Sequence, residues 1–125
     1  MNEVNETKPT VVMSAAEFFE KAKVQKRFVK LVGDKGFWVH GLSSDERDHY
    51  EMEVLTDQGK PRNEQLRAGL VAVCTRDENG IRIFNDKEDV LKLGKSAATY
   101  VQKLFSAAQK LSGMTAQDME DLQGN

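Results

Sequence analysis

Leu66-Arg67-Ala68-Gly69-Leu70-Val71-Ala72-Val73-Cys74-Thr75-Arg76 is the stretch on which the fold turns. Leu66, Leu70, Val73 and Cys74 recur at i, i+4, i+7 and i+8, the spacing of one helical face. The valines of Leu70–Thr75 also suit a strand, so a strand reading competes there. The periodicity favours a helix from Asn63 to about Val73 with an extended exit. Beyond it, Asp77-Glu78-Asn79-Gly80 reads as a tight turn, and Ile81-Arg82-Ile83-Phe84 alternates as a short strand. A small hairpin over about 74–84 follows.

Upstream, residues 1–12 read as a disordered or loosely docked tail, being mostly polar and interrupted by Pro9. Ser14-Ala15-Ala16-Glu17 is a capping box, with Met13 and Phe18 at the staple positions, and opens a helix over about 14–23. Val24–Val32 is strand-like, with Val29 and Leu31 on one face and Phe28 and Val32 on the other. Asp34-Lys35-Gly36 supplies a turn, and Phe37-Trp38-Val39-His40 resumes β-favouring residues, predicting a hairpin of 24–32 with 36–41. Ser43 and Glu46 form a second capping box for a helix to about Leu55, followed by a loop over Thr56–Arg62.

Downstream, Asn85 caps a helix of roughly 86–93, with Glu88 in the box position and Gly94 as its stop. Ser96 is placed to cap the best helix of the chain, where Tyr100, Val101, Leu104, Phe105, Ala108 and Leu111 share a face as far as Gly113. Thr115 starts a short acidic helix stapled by Met114 and Met119. The expected fold is α+β: a mostly helical single domain over 13–125 with one or two small antiparallel hairpins.

The whole chain has 125 residues, 39% of them hydrophobic and 30% charged, with a net charge of −2. Scaling laws give roughly 6,700 Å² of folded surface against roughly 20,000 Å² unfolded, enough for a modest core. One cysteine excludes an internal disulfide and a cysteine-rich zinc site. No apolar run approaches a membrane span, and the polar, acidic start lacks the order of a signal peptide, so the expected location is cytoplasmic.

The net charge conceals alternating blocks: residues 21–36 sum to +5 and 37–59 to −5. Basic residues beside Phe28, Phe37 and Trp38 admit two readings. They are a nucleic-acid surface, or a solvated face beside an aromatic cluster; a pI of about 5.7 favours the second.

Chemistry-bearing patterns are sparse. His40 and His49 stand nine apart with no third ligand in metal spacing. Cys74 lies on an apolar helical face without a neighbouring His. There is no phosphate-binding glycine motif, and 77–80 lacks the carboxylate spacing of a calcium loop. No enzyme activity and no cofactor are expected.

Three passages carry a family resemblance: Val39-His40-Gly41-Leu42-Ser43-Ser44-Asp45-Glu46-Arg47, a strand running into a capped acidic helix; Leu70–Asp86, an apolar helix, an Asp-Glu-x-Gly turn and a short strand ending in Phe; and Leu104–Gly113 with Met114, Thr115 and the closing acidic helix to Asn125. In order and spacing they resemble the tail assembly chaperones of long-tailed, siphovirus-type bacteriophages, over about residues 28–125; segment 1–23 has no counterpart in that pattern. The resemblance implies a protein that binds the tape measure protein and keeps it soluble while tail tube subunits polymerise around it. It implies contact with the tail tube protein through a longer frameshift product, residence in the host cytoplasm and absence from the mature virion. Many copies along one client would make weak self-association a further expectation. A chaperone needs exposed apolar surface, and the candidates for it are Phe37, Trp38, Tyr50, Met114 and Met119, with completion of the protein's own core as the competing role of each. Neither nucleic acid nor membrane is expected as a partner. The alternative class is a head–tail connector or another small non-enzymatic adaptor.

Overall fold

The central helix α3 (Leu66–Cys74) is apolar nearly all round, and a helix of that kind must be buried rather than half-buried. In the computed structural model, which describes residues 10–54, 56–57, 60–61, 66–85 and 87–122, every α3 residue except Arg67 is buried. The helix reading of this stretch holds, and so does the extended exit: β5 (Thr75–Arg76) begins where α3 ends, with no loop between. The expected start of this helix at Asn63 lies outside the described residues.

The other elements are α1 (Ala15–Lys21), β1 (Lys26–Val32), β2 (Lys35–His40), α2 (Ser44–His49), β3 (Thr56–Asp57), β4 (Lys60–Pro61), α4 (Lys87–Gly94), α5 (Ala98–Leu111) and α6 (Ala116–Leu122). The fold is α+β in one domain. α2 continues into a π-helical turn at Tyr50–Val54. β3 and β4 pair within the stretch expected to be a loop.

β1 and β2 pair antiparallel, Phe28 opposite Trp38 and Val29 opposite Phe37, with a bulge between Lys30 and Val32. β5 pairs with the other edge of β2, giving a three-stranded antiparallel sheet in the order β1-β2-β5. The second expected hairpin therefore joins the first sheet: Arg76 bridges Arg82 across the Asp77–Gly80 turn, and Ile83 N–H donates to the Thr75 carbonyl. The hairpin turn is Gly33-Asp34, where Gly33 takes φ +60°; Gly36, expected in the turn, is a strand residue opposite Lys30.

α5 covers both α3 and the inner face of the sheet, α4 lies along α3, and the π turn closes a further side. The amphipathic stripe of α5 does this, burying Val101, Leu104, Phe105 and Ala108. α5 ends in a Schellman motif: Gly113 at φ +67° donates to the Lys110 carbonyl, Met114 N–H donates to that of Gln109, and the Met114 side chain is buried.

Local signals explain most helix starts. Both capping boxes form: Ser14 and Ser43 accept from the Glu17 and Glu46 N–H groups at 3.1 Å, and each glutamate accepts the return bond from its serine's N–H. Thr115 and Asp118 exchange the same pair of bonds at α6. Two expectations fail. Ser96 does not cap α5; its hydroxyl donates to the Lys92 carbonyl at 2.7 Å and finishes α4, leaving Ala97 at the α5 N-cap without a side-chain bond. At α4 it is Asp89, not Glu88, that accepts from the Asn85 N–H at 3.2 Å.

The end of β2 meets the end of α5 at Gly41, which is buried against backbone. A Cβ on Gly41 would run into the Leu111 carbonyl oxygen, far inside van der Waals contact. Next to it, Leu42 N–H donates to the Ser112 hydroxyl at 2.9 Å. Gly41→Ala should therefore lower unfolding stability by about 1–3 kcal/mol, since backbone on both sides must shift. Urea denaturation followed by circular dichroism reads this, and an unchanged midpoint refutes the close approach.

Candidate protein-docking surface

The expected partner residues divide sharply. Tyr50 is fully buried, and its hydroxyl donates to the Leu66 carbonyl at 2.6 Å. It anchors the π turn to the first turn of α3, so it is a core residue rather than a surface contact. Burial raises its phenol well above the ordinary value of 10.0, with Cys74 and Glu51 adding to the shift. Met114 is likewise buried, as the residue that closes the Schellman motif. The Met119 side chain lies outside the described ones. Phe37 and Trp38 are adjacent strand residues and so point to opposite faces. Phe37 packs against the core with Phe84, ring centroids 5.7 Å apart.

Trp38 belongs to the outer face. There Phe28 meets it edge-on at 5.5 Å, and the Lys26 ammonium sits 5.0 Å from the Trp38 ring centroid. Lys26, Phe28 and Lys30 stand on this side of β1, opposite the buried side of Val29; past the bulge Val32 pairs with Lys35 and shares the Phe37 side. Toward the turn, Leu31, Val32, Lys35, Gly36 and Phe37 line a shallow apolar depression of about 320 Å³.

A larger apolar surface was not singled out from the sequence. α1 buries no residue, although it carries Phe18 and Phe19. Phe19 is 68% exposed, and Val11 and Val12 before it are 84% and 88% exposed. The two rings meet edge-to-face, centroids 5.5 Å apart. One signal was available: adjacent phenylalanines lie about 100° apart around a helix, so a helix this short cannot put both on one narrow core face.

Beside Trp38, on the β5 side of the sheet, lies a polar cluster. Arg76, opposite Trp38 in the sheet, donates to Glu46 at 2.6 Å and to the Val73 carbonyl at 3.1 Å. Arg82 donates to the Ala72 and Phe84 carbonyls at 3.2 and 3.1 Å. Two guanidinium groups thus satisfy carbonyls at the buried end of α3. Half-burial lowers the His40 pKa, helped by Arg76 and Lys26 and opposed by Glu46. Cys74 is fully buried, and burial pushes its thiol up to about 12 against the smaller effect of the Ser112 hydroxyl, so it carries no thiolate at neutral pH. Among the described residues no three His, Cys, Asp or Glu side chains gather where they could hold a metal ion, and no helix is long and apolar enough to cross a membrane.

Comparison with protein families, with curated proteins and with solved structures finds no match in any of the three.

Burial raises the Glu46 carboxyl, but the Ser43 N–H and the Arg76 guanidinium outweigh it, and the net shift is downward from 4.5. A depressed carboxylate stabilises the fold above its unfolded pKa and loses that contribution as pH falls through the folded value. Glu46→Gln should lower stability at neutral pH by about 1 kcal/mol and flatten the stability profile below the unfolded value of 4.5. Urea midpoints from pH 7 to pH 3 read both effects, and parallel profiles refute the assignment. Tyr50→Phe removes one buried hydrogen bond and should cost about 1–2 kcal/mol, while leaving partner binding unchanged; a loss of partner binding without a loss of stability would return Tyr50 to the surface.

Proposed function

We propose that this chain is a tail assembly chaperone of a long-tailed bacteriophage, a non-enzymatic protein that holds the tape measure protein soluble while tail tube subunits assemble around it. The observation that carries the reading is the N-terminal arm. Phe18, Phe19, Val11 and Val12 stand in solvent beside a domain whose core is already filled. Exposed apolar surface of that extent on a packed scaffold marks a site for another protein. The order of capped helices and turns that resembles the chaperones supports the choice of client. The tail tube protein is the second partner, reached through a longer frameshift product. The site of action is the host cytoplasm.

Co-expression with the tape measure protein tests this. The chain should raise the client's soluble yield severalfold and co-purify with it. Phe18→Ser with Phe19→Ser should abolish most of the gain while leaving the melting transition unchanged, because α1 contributes nothing to the core. No rise in yield and no co-purification would overturn the reading. Mass spectrometry of purified particles separates the runner-up: a head–tail connector is present in the virion, and a chaperone is missing from it.

A further inference from the structure

We infer that the outer face of the β1–β2 hairpin seats an acidic amphipathic helix of the client protein, running along β1 with its apolar stripe on Phe28 and Trp38. This rests on the chaperone reading and adds the surface and the chemistry of the segment it takes.

Charge complementarity selects the occupant. On β1 the outward residues before the bulge are Lys26, Phe28 and Lys30, a basic residue on either side of the ring. Opposite them stand His40, Trp38 and Gly36. The carboxylates nearby are already engaged. Asp34 pairs with Lys30 at 3.3 Å at the exposed turn, and Glu46 pairs with Arg76 beyond the β5 side. With the Lys30–Asp34 pair neutral overall, the Lys26 ammonium leaves the face positive, around an apolar centre.

Spacing fits a helix. Lys26 and Lys30 are four strand residues apart, about 13 Å. Carboxylates at i and i+8 of a helix are about 12 Å apart along its axis, with room between them for apolar residues at i+4 over the two rings. The Lys30–Asp34 pair is solvent-exposed on both sides and yields readily to a new carboxylate.

The same geometry disfavours other occupants. Single-stranded nucleic acid needs open ring faces for stacking. Here the rings meet edge-to-face, so they do not offer two parallel faces to successive bases. An added strand along the β1 edge meets the bulge between Lys30 and Val32, which breaks the ladder.

The test uses the full chain and two labelled 20-residue helical peptides with one leucine stripe, flanked by glutamates in one and by lysines in the other, followed by fluorescence anisotropy. The glutamate peptide should bind with an affinity that falls as salt rises, and the lysine peptide should bind at least tenfold more weakly. Lys26→Glu with Lys30→Glu should weaken the glutamate peptide at least tenfold, and Phe28→Ser should weaken it severalfold. All three side chains are exposed, and unchanged circular dichroism and melting of the variants show that the fold is intact. Equal binding of both peptides, no binding of either, or unaltered binding by the variants overturns the inference. So does preferential binding of an oligothymidylate, or a dimer in light scattering that the double variant dissociates. The two proposals fail separately. If the double variant still solubilises the tape measure protein fully, this face is not its seat and the chaperone reading stands. If the wild-type chain does not solubilise it, the chaperone reading falls, whatever the peptides do.

Discussion

Everything in this fold is arranged around one buried helix. α3 presents apolar side chains in every direction, so it is stable only when covered on all sides, and α5, α4 and the π turn at Tyr50 each supply a cover. A buried helix end also leaves carbonyl groups that water cannot reach. The chain leaves α3 straight into β5, so no flexible loop is present to supply donors. Arg76 and Arg82, from the strand and turn that follow, donate to the Val73 and Ala72 carbonyls instead. The same Arg76 binds Glu46, whose other oxygen closes the α2 capping box. One guanidinium thereby ties the end of α3, the third strand and the start of α2 into a single polar joint.

This joint fixes which surfaces remain open. Because β5 is held against β2, one side of the sheet is an edge that is already used, while β1 forms the other edge. α5 covers the inner face, so Phe28 and Trp38 are left on the outer one. α1 precedes β1 by only the exposed segment Ala22–Gln25, so the apolar arm and the basic, aromatic face are neighbours in the chain. Such a division suits the proposed role of reversible contact with a partner. The packed half holds the shape, and the opposite half leaves apolar side chains uncovered.

Cys74 and Tyr50 are the reactive side chains most deeply placed, and burial holds both in their neutral forms. The buried polar groups act on structure: the Tyr50 hydroxyl on the first turn of α3, the arginines on its last. The outer-face lysines, by contrast, are in solvent, Lys30 paired with Asp34 and Lys26 beside the Trp38 ring.

Short-range signals determined a large part of this protein from the sequence alone. Ser14–Glu17, Ser43–Glu46, Gly113 and the amphipathic stripe of α5 act through neighbouring turns of the backbone, so residue type and spacing suffice to place them. What tertiary structure alone decided was which apolar residues are covered. Tyr50 and Phe19 look alike as aromatic residues on helices, yet one is sealed beneath α3 and the other stands in water, because burial depends on what packs from elsewhere in the chain. Ser96 shows the same limit at short range: it had two helix ends within reach, and its bond went to the Lys92 carbonyl of the helix behind it. The turn at 77–80 was readable, but the pairing of β5 with β2 was not, since it joins segments more than thirty residues apart in the chain.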